Sequence, residues 1–268
     1  MARPWWIGAQ LVRSATDGLR RGSDRVADPL RREVRQTTIA LDAGIEIDPE
    51  LRGHLRVPHR QIERLESGRT RERLSGVGDA SVWFEWWPDG DRPQRRSIAE
   101  GGDWTFLSGL ELPTGAARSD LNRRAIPPSL MQLGSGTYDP FAGAAWSATE
   151  GEWRLRAASL VRIPINSSGA GLNPGNSLAL QAGADRSLFG SVEAGATLEA
   201  RWMGREWLGG RKLRDTGSSL LAAAPRLAAQ LGADAWIEGT AWLPMQVQAN
   251  GVQIAPGPAF EVRIGLHF

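Results

Sequence analysis

The sequence predicts an all-β fold: a single twelve-stranded antiparallel transmembrane β-barrel of the outer membrane, covering residues 1–268, with both termini in the periplasm. Three observations lead to this prediction. The last strand alternates apolar and polar residues and ends on an aromatic residue. The chain divides into alternating segments of strand length whose connections are in turn short and long. Tryptophan, which favours membrane interfaces, occurs 12 times against one tyrosine.

The last ten residues, 259–268, carry the clearest signal. Successive side chains of a strand point to opposite faces. One face of this segment carries Phe260, Val262, Ile264, Leu266 and Phe268. The other face carries Glu261, Arg263, Gly265 and His267. An apolar outside, a wet inside and an aromatic ring at the interface are what a lipid-facing barrel strand needs.

Taken in order, the alternating segments predict twelve strands. Their approximate bounds are 4–13, 35–47, 51–64, 77–88, 102–112, 138–148, 152–165, 177–186, 191–202, 219–230, 234–247 and 258–268. A helix competes with the strand at 219–230, because alanine and leucine favour helices. Pro225 would break that helix, although it also removes one hydrogen bond from a strand ladder. We therefore predict a strand there.

The connections give an independent test, because outer-membrane barrels have short periplasmic turns and longer external loops. Short turns are predicted near 48–50, 149–151, 186–190 and 231–233. Longer connections are predicted at about 14–34, 65–76, 113–137, 166–176, 203–218 and 248–257. The charged segment 88–101 is an exception, since it is long where a short turn is expected. A soluble β-sandwich or lectin-like fold is the alternative, and the alternating turns and the terminal Phe268 argue against it.

Composition excludes several classes of protein. No run of eighteen apolar residues exists, which excludes a helical membrane span. The chain has no cysteine and therefore no disulfide, thiolate chemistry or cysteine-based metal site. The net charge is only +2 and the basic pairs fall in different predicted loops, so we expect no nucleic-acid partner. The N-terminus lacks a secretory signal, so for a barrel we expect the signal to have been removed or to lie upstream.

Polar and aromatic residues on the predicted inward faces are candidates for lining a lumen or contacting a substrate. They are Arg154, Arg156, Arg162, Glu193, Glu199, Arg201, Trp236, Glu238, Trp242, Glu261 and Arg263. Two interpretations stay open: a salt-bridged lumen that fills the barrel, and an arginine-lined passage that selects anions or polarisable aromatic solutes. Trp236 and Trp242 share the Glu238 face and are candidates for stacking on an aromatic solute. The other tryptophans are predicted to anchor the barrel at the interfaces.

Three glycine-containing stretches also stand out: SGVGDASVWFEWW at 75–87, LELPTG at 110–115 and LGSGTYDPFAGAAW at 133–146. Their distinctive residues are Gly76, Gly78, Asp79, Pro113, Thr114, Gly115, Gly134, Gly136 and Asp139. In this order and spacing they resemble an outer-membrane transporter-like β-barrel family named for a phenol meta-degradation pathway. VPHR at 57–60 resembles that family's VPY element, with His59 where tyrosine is usual. The resemblance covers about 35–268 and implies transport of hydrophobic or aromatic compounds.

The same residues have a physical interpretation of their own. Gly76 and Gly78 would let the backbone turn sharply from a loop into a strand. Asp79 could accept hydrogen bonds from loop amides, and Pro113 would end a strand at the membrane edge. These residues either shape the barrel rim or contact the substrate directly, and the sequence leaves both possibilities open.

The sequence therefore favours an outer-membrane channel for passive uptake or efflux of small hydrophobic or aromatic compounds. A closed structural or adhesive barrel that acts through its extracellular loops is the alternative, since 14–34 and 113–137 could also fold inward as a plug. A lipid hydrolase is less favoured: His54, His59 and His267 are the only histidines, and no G-x-S-x-G elbow accompanies them.

We predict no catalytic residue, metal or cofactor. The expected partners are outer-membrane lipid, a small hydrophobic or aromatic solute, and the barrel-assembly machinery. That machinery would recognise the terminal strand that ends in Phe268.

Overall fold

The chain is built almost entirely from β-strands. The computed structural model describes residues 5–88, 96–117 and 127–268. The strands are β1 (Trp5–Gly22), β2 (Asp24–Arg25), β3 (Arg32–Asp48), β4 (Leu51–Glu66), β5 (Arg69–Val77), β6 (Ala80–Trp86), β7 (Asp103–Leu112), β8 (Asp139–Glu150), β9 (Trp153–Arg162), β10 (Leu172–Asn173), β11 (Ser177–Phe189), β12 (Val192–Met203), β13 (Trp207–Leu208), β14 (Arg211–Lys212), β15 (Ser218–Leu231) and β16 (Ala235–His267). One 3₁₀-helix spans Pro128–Met131. Within these described ranges no helix is long and apolar enough to cross a membrane.

The main sheet closes on itself. Eleven strands follow one another around it, each antiparallel to its neighbours, and β16 pairs with β1. Next to that seam the Phe268 N–H donates a 2.9 Å hydrogen bond to the carbonyl of Trp5. Two strands lie outside the path, because β2 pairs only with β1 and β5 only with β4. The result is a closed antiparallel barrel, the form of sheet that leaves no unpaired edge in lipid.

The last strand, β16, is 33 residues long and has two neighbours. Its first part pairs with β15, from Ala235 opposite Leu231 to Ala249 opposite Ser218. Its later part pairs with β1 and ends with His267 opposite Trp6. The His267 N–H donates to the carbonyl of Asp234 at 2.9 Å, so the two ends of the element are adjacent. Gly251, at φ +72°, lies where the direction reverses.

Side chains alternate between the outside and the inside of the barrel as predicted. In β16 and the residue that follows it, the outward side chains are 41–59% exposed: Phe260, Val262, Ile264, Leu266 and Phe268. Glu261, between them, is buried at 8%. The run from Phe260 to Phe268 has about the nine to eleven residues that a tilted strand needs to cross a bilayer.

Pro225 lies in a strand, as predicted. It pairs with Ala196 of β12. On the other side the ladder to β16 skips from Ala223 opposite Leu243 to Arg226 opposite Thr240 without a change of register. The missing N–H of proline therefore interrupts one ladder locally, and the strand continues.

The connections at the two ends of the barrel differ in length. Residues 49–50, 151–152, 190–191 and 232–234 are short turns at the end that also holds both termini, so these four predicted turns are confirmed. The long connection after β6 lies at this end too, and residues 89–95 of the predicted charged segment 88–101 fall outside the described residues. At the opposite end the long connections after β7, β9 and β12 are confirmed.

Three of the predicted loops are wrong. Most of 14–34, 65–76 and 248–257 is strand: β1 reaches Gly22, and the turn between β4 and β5 is only Ser67–Gly68. In this part of the barrel the polarity is reversed, with polar side chains outside and apolar ones inside. Arg13 and Arg35 point outward, whereas Val34 and Ile62 face inward and are 3% and 1% exposed. The reversal explains why the sequence pattern did not predict these strand extensions, because the alternation typical of a lipid-facing strand ends there.

We expect the lipid-facing and lumen-facing sides of β11 to respond oppositely to charge. Leu180 is outward and 42% exposed, so Leu180→Arg should destabilise the barrel by about 2–4 kcal/mol in a bilayer. The adjacent Gln181 faces inward and donates to Glu199 at 2.6 Å, so Gln181→Arg keeps an acidic partner and should be nearly neutral. Urea titration of protein refolded into vesicles measures both variants. Equal loss in the two variants would contradict the assigned facing.

Candidate functional site

The predicted lumen residues all occupy inward positions, on β9, β12 and β16. Cross-strand registers place them on the same side as Gln10, Asp185 and Arg226. They do not converge on one point. They form separate clusters around the circumference, held by ion pairs and by hydrogen bonds across neighbouring strands.

The largest cluster is centred on Arg226. Its guanidinium lies 3.0 Å from Asp185, 2.8 Å from Glu238 and 3.9 Å from Glu193. Arg156 reaches the same Asp185 at 2.6 Å. Asp185 and Arg226 were absent from the predicted set. Asp185 was readable from the alternation of its strand, and Arg226 was obscured because its segment also resembled a helix.

Two further clusters neutralise their own charges. Glu199, 1% exposed, is 2.7 Å from Arg201 and accepts from Gln181 at 2.6 Å. Glu261 pairs with Arg263 and accepts from Gln10 at 2.6 Å and from the Trp242 indole at 3.3 Å. Trp242 thus points inward and is held by a carboxylate.

Aromatic side chains fill the lumen along β1, β3, β4 and β6, near the end that holds the termini. His54 stacks on Trp83 with ring centroids 4.7 Å apart and an interplanar angle of 2°, and Trp6 contacts the edge of His54 at 5.7 Å. Glu85 lies 3.3 Å from the His54 ring. A Cβ at Gly44 would collide with the Trp6 indole, so only glycine fits there.

The prediction that Trp6 and Trp83 anchor the barrel at the interface is therefore wrong. Both fill the lumen, and Trp87 is also buried, at 5%. Others do lie outside at 43–55% exposure: Trp5, Trp86, Trp104, Trp153, Trp202 and Trp207. His54 and His59 lie on opposite faces of β4, since their cross-strand partners differ in facing, so the histidines do not form one site.

The opposite wall of the lumen is lined by small side chains. A cavity of about 250 Å³ lies along β7, β8, β9 and β11, bordered by Thr105, Ala145, Ala158 and Gly183 among others. Charged groups at this cavity are Asp103 and Arg156, the latter already paired with Asp185. Space for a solute is therefore found on this side.

An inward-folded segment covers the other end of the barrel. Residues 127–137, which we call the cap, include the 3₁₀-helix and carry Met131 and Leu133 at 2% and 9% exposure. These two side chains pack against Leu19, Val34, Ile62 and Ile254 of the barrel wall. Residues 127–137 therefore fold inward, as the alternative of a plug formed by 113–137 expects.

The three glycine-containing stretches meet at the root of the cap. Asp79, 2% exposed, accepts hydrogen bonds from the Gly115 N–H at 2.9 Å, the Ser135 N–H at 2.5 Å and the Ser135 hydroxyl at 2.8 Å. The Thr114 hydroxyl donates to the Gly78 carbonyl at 2.9 Å and accepts from the Ala80 N–H at 2.8 Å. We call this arrangement the Asp79 anchor.

Close backbone approach explains the glycines of the anchor. A Cβ on Gly115 would lie 2.7 Å from the backbone of Gly134, and a Cβ on Gly134 would collide with Asp79. A Cβ on Gly76 would meet the Leu133 side chain at 3.0 Å. Gly136 has φ +69°, a conformation that favours glycine.

The remaining motif residues lie at the same junction. Asp139 is 1% exposed and accepts from the Thr137 hydroxyl at 2.5 Å, and Pro113 follows the end of β7. The nearby ion pair of Arg162 with Glu111 measures 3.3 Å. Arg60 donates to the Leu133 carbonyl at 3.1 Å, which fixes the cap to β4 as well.

A second attachment holds the other part of the cap. The Ser129 hydroxyl donates to Glu206, in the connection between β12 and β15, at 2.5 Å. Glu206 is 4% exposed, and this burial raises the pKa of its carboxyl to about 7.

Comparison with solved structures supports the fold. The chain is similar to an outer membrane channel from Pseudomonas putida, with a TM-score of 0.75, 15% identity, and 100% of this chain and 97% of the other covered. It is also similar to the beta domain of the Bordetella autotransporter BrkA, with a TM-score of 0.50, 13% identity, and coverage of 99% and 100%. The CymD monoaromatic hydrocarbon channel is a more distant match, at a TM-score of 0.47, 7% identity, and coverage of 100% and 89%. No protein-family model and no curated protein matches the chain.

Removing one charge should loosen the Asp79 anchor. In Asp79→Asn an NH₂ group replaces one of the two carboxylate oxygens that accept the three hydrogen bonds. The Gly115 and Ser135 amides should therefore exchange about ten- to a hundredfold faster, which corresponds to the loss of a hydrogen bond to a buried charge. Hydrogen-exchange mass spectrometry on peptides covering 113–117 and 133–137 measures this. Asp17→Asn, which alters an exposed pair with Arg25, is the control, and equal effects of the two variants would argue against the anchor.

The attachment at Glu206 should weaken as the pH rises. With the loop open, the carboxyl has an ordinary value near 4.5, whereas in the closed loop its pKa is about 7. The closed form therefore binds the extra proton, so its stability is complete below about pH 4.5 and falls as the pH rises from there through 7, by up to about 3 kcal/mol in total. Hydrogen exchange of the amides at 129–131, corrected for intrinsic rates, should show this slope. Glu206→Gln should flatten it, and an unchanged slope in that variant would assign it to another group.

Proposed function

We propose that this protein is a twelve-stranded outer-membrane channel for passive passage of small hydrophobic or aromatic compounds. The eleven strands of the closed path become twelve when β16, whose two ends are joined by the His267–Asp234 hydrogen bond, is counted as a hairpin. With an even number of strands both termini lie at one end. The short turns at that end favour the periplasm.

The observation that carries this proposal is the pairing of charges in the lumen. Arg226, Glu199 and Glu261 each have a partner of opposite charge. Paired charges offer little attraction to an ion, so the open side of the lumen, lined by small side chains, suits an uncharged solute. This favours neutral compounds over the anions that an arginine-lined passage would select.

The apolar packing at the cap adds the preference for hydrophobic solutes. A compound arriving at the end opposite the termini would meet the partly buried apolar side chains that surround the buried cluster, among them Val26, Leu130 and Val252. Apolar surface is removed from water when such a compound binds. The resemblance of the glycine-containing stretches to a transporter-like family named for a phenol pathway supports the same class of substrate.

The proposed partners follow from the surface. Lipid covers the outward apolar band, of which Leu41 at 65% and Leu198 at 53% are examples. The barrel-assembly machinery would recognise the strand that ends in Phe268.

A closed barrel that acts through its external loops is the second candidate. The cap favours it, because this segment is attached both at Asp79 and at Glu206 and lies inside the mouth. The two candidate functions differ in whether a solute passes through the barrel.

Blocking the small-residue wall tests transport directly. Ala158 faces the cavity, so Ala158→Trp should lower flux of a monoaromatic solute into proteoliposomes by about tenfold by narrowing the passage. Ala142 of β8 is exposed on the outside, opposite the outward Val161, and does not border the cavity. Ala142→Trp is therefore the matched control and should keep wild-type flux. If vesicles that contain the wild-type protein show no more flux than protein-free vesicles, the result would favour the closed barrel.

A further inference from the structure

A small three-stranded sheet lies beyond the barrel, at the end opposite the termini. It consists of β10, β13 and β14 in that order. Asn173, Trp207 and Lys212 are opposite one another in its ladders, so they share a face. On the other face Leu172 is 1% exposed, and the nearby Ser168 packs against Gly136 of the cap. The face with Trp207 and Lys212 is therefore directed away from the barrel axis.

This face borders a cavity of about 580 Å³, lined in part by Asn176, Gly204, Arg205, Trp207 and Lys212. The Gly204 N–H donates to the Asn176 carbonyl at 2.7 Å. Gly204 comes two residues after Trp202, which lies on the outside of β12 at 45% exposure. The cavity thus starts where the apolar outer band ends. Because tryptophan favours the membrane interface, we expect the cavity to lie near the lipid headgroups.

Cations without acidic partners gather at this cavity. The Lys212 ammonium lies over the Trp207 ring, 5.6 Å from its centroid. Neither Lys212 nor Arg205 forms an ion pair with another residue in the described ranges, and Arg211 and Arg214 add positive charge nearby. An anionic group is the complement of this surface.

The opposite end of the barrel offers a comparison. There Arg186 lies over Trp153 at 5.7 Å, so both ends carry an outward tryptophan with a cation on it. Arg186, however, is neutralised by Glu152 at 2.7 Å. Of these two tryptophan–cation pairs, only the one near the cap keeps its charge available.

We infer that the Trp207–Lys212 face binds the phosphorylated sugar headgroup of a glycolipid in the outer leaflet. The indole offers a flat apolar surface for the sugar ring, while Lys212 and Arg205 offer charge-assisted hydrogen bonds to phosphate. Because lipids of this class occupy one leaflet, the cationic pair belongs at one end only. The inference uses the orientation proposed above, but lipid binding is measured without transport, so either proposal can fail while the other stands.

The test measures binding of diphosphoryl lipid A to the full-length protein in detergent by native mass spectrometry. Lys212→Gln should weaken binding about tenfold, the loss of one charge-assisted hydrogen bond, and Lys212→Arg should restore it. Arg186→Gln is the matched control and should bind as the wild type does. Equal losses in Lys212→Gln and Arg186→Gln, or no loss in either, would overturn the inference. Heat-modifiable migration in gels confirms that each variant is folded.

Three competing ligands separate the sources of the anion. If the site binds the phosphate groups, dephosphorylated lipid A should bind at least about tenfold more weakly than the diphosphoryl form. Phosphatidylglycerol binding as tightly as lipid A would overturn the assignment to a glycolipid, and weaker binding would support it. Inorganic phosphate that displaces lipid A fully would reduce the site to a simple anion site, whereas retention of lipid A supports a combined sugar and phosphate contact.

Discussion

Every backbone N–H and C=O of a strand in hydrocarbon needs a partner within the protein, because lipid supplies none. Here the pairing of β16 with β1 meets that demand by closing the sheet. Closure also sets a demand inside the barrel, since the strands enclose a narrow space into which half of their side chains point. The features of the lumen follow from the need to fill that space and to pair buried charges such as Asp185 and Glu199.

Two solutions to this filling occur on opposite walls. Along β1, β3, β4 and β6 the space is taken by rings, with Trp6, His54 and Trp83 in contact. Along β8, β9 and β11 small side chains such as Ala158 leave a cavity. This asymmetric filling keeps one wall of the lumen rigid and leaves room for a solute along the other. The cap is attached across the mouth of the barrel at two separate points. A lumen of this design would select solutes by shape and polarity more than by charge.

The strands were largely predictable, because lipid enforces a strict alternation over the membrane-spanning part of each strand. Facing was predictable for the same reason, as Phe260 and Glu261 illustrate. The pairing of Asp185 with Arg226 was not, since register and closure decide which inward residues meet. Trp6 and Trp83 were misassigned because an indole suits an interface and a packed lumen alike. Gly115 and Gly134 indicated an unusual backbone conformation or a close contact in the sequence. Only the fold shows that the two backbones contact each other.

The reversal of polarity along β1, β3 and β4 also fixes how deeply the barrel sits. On β1 the outward Leu11 is followed two positions later by the outward Arg13. A shift toward the end opposite the termini would expose Leu11 and its neighbours to water, and the reverse shift would bring Arg13 and Arg35 into hydrocarbon. Both displacements are unfavourable, so the barrel cannot slide along the membrane normal to suit a thicker or thinner bilayer. The surrounding lipid must adjust its own thickness to the protein.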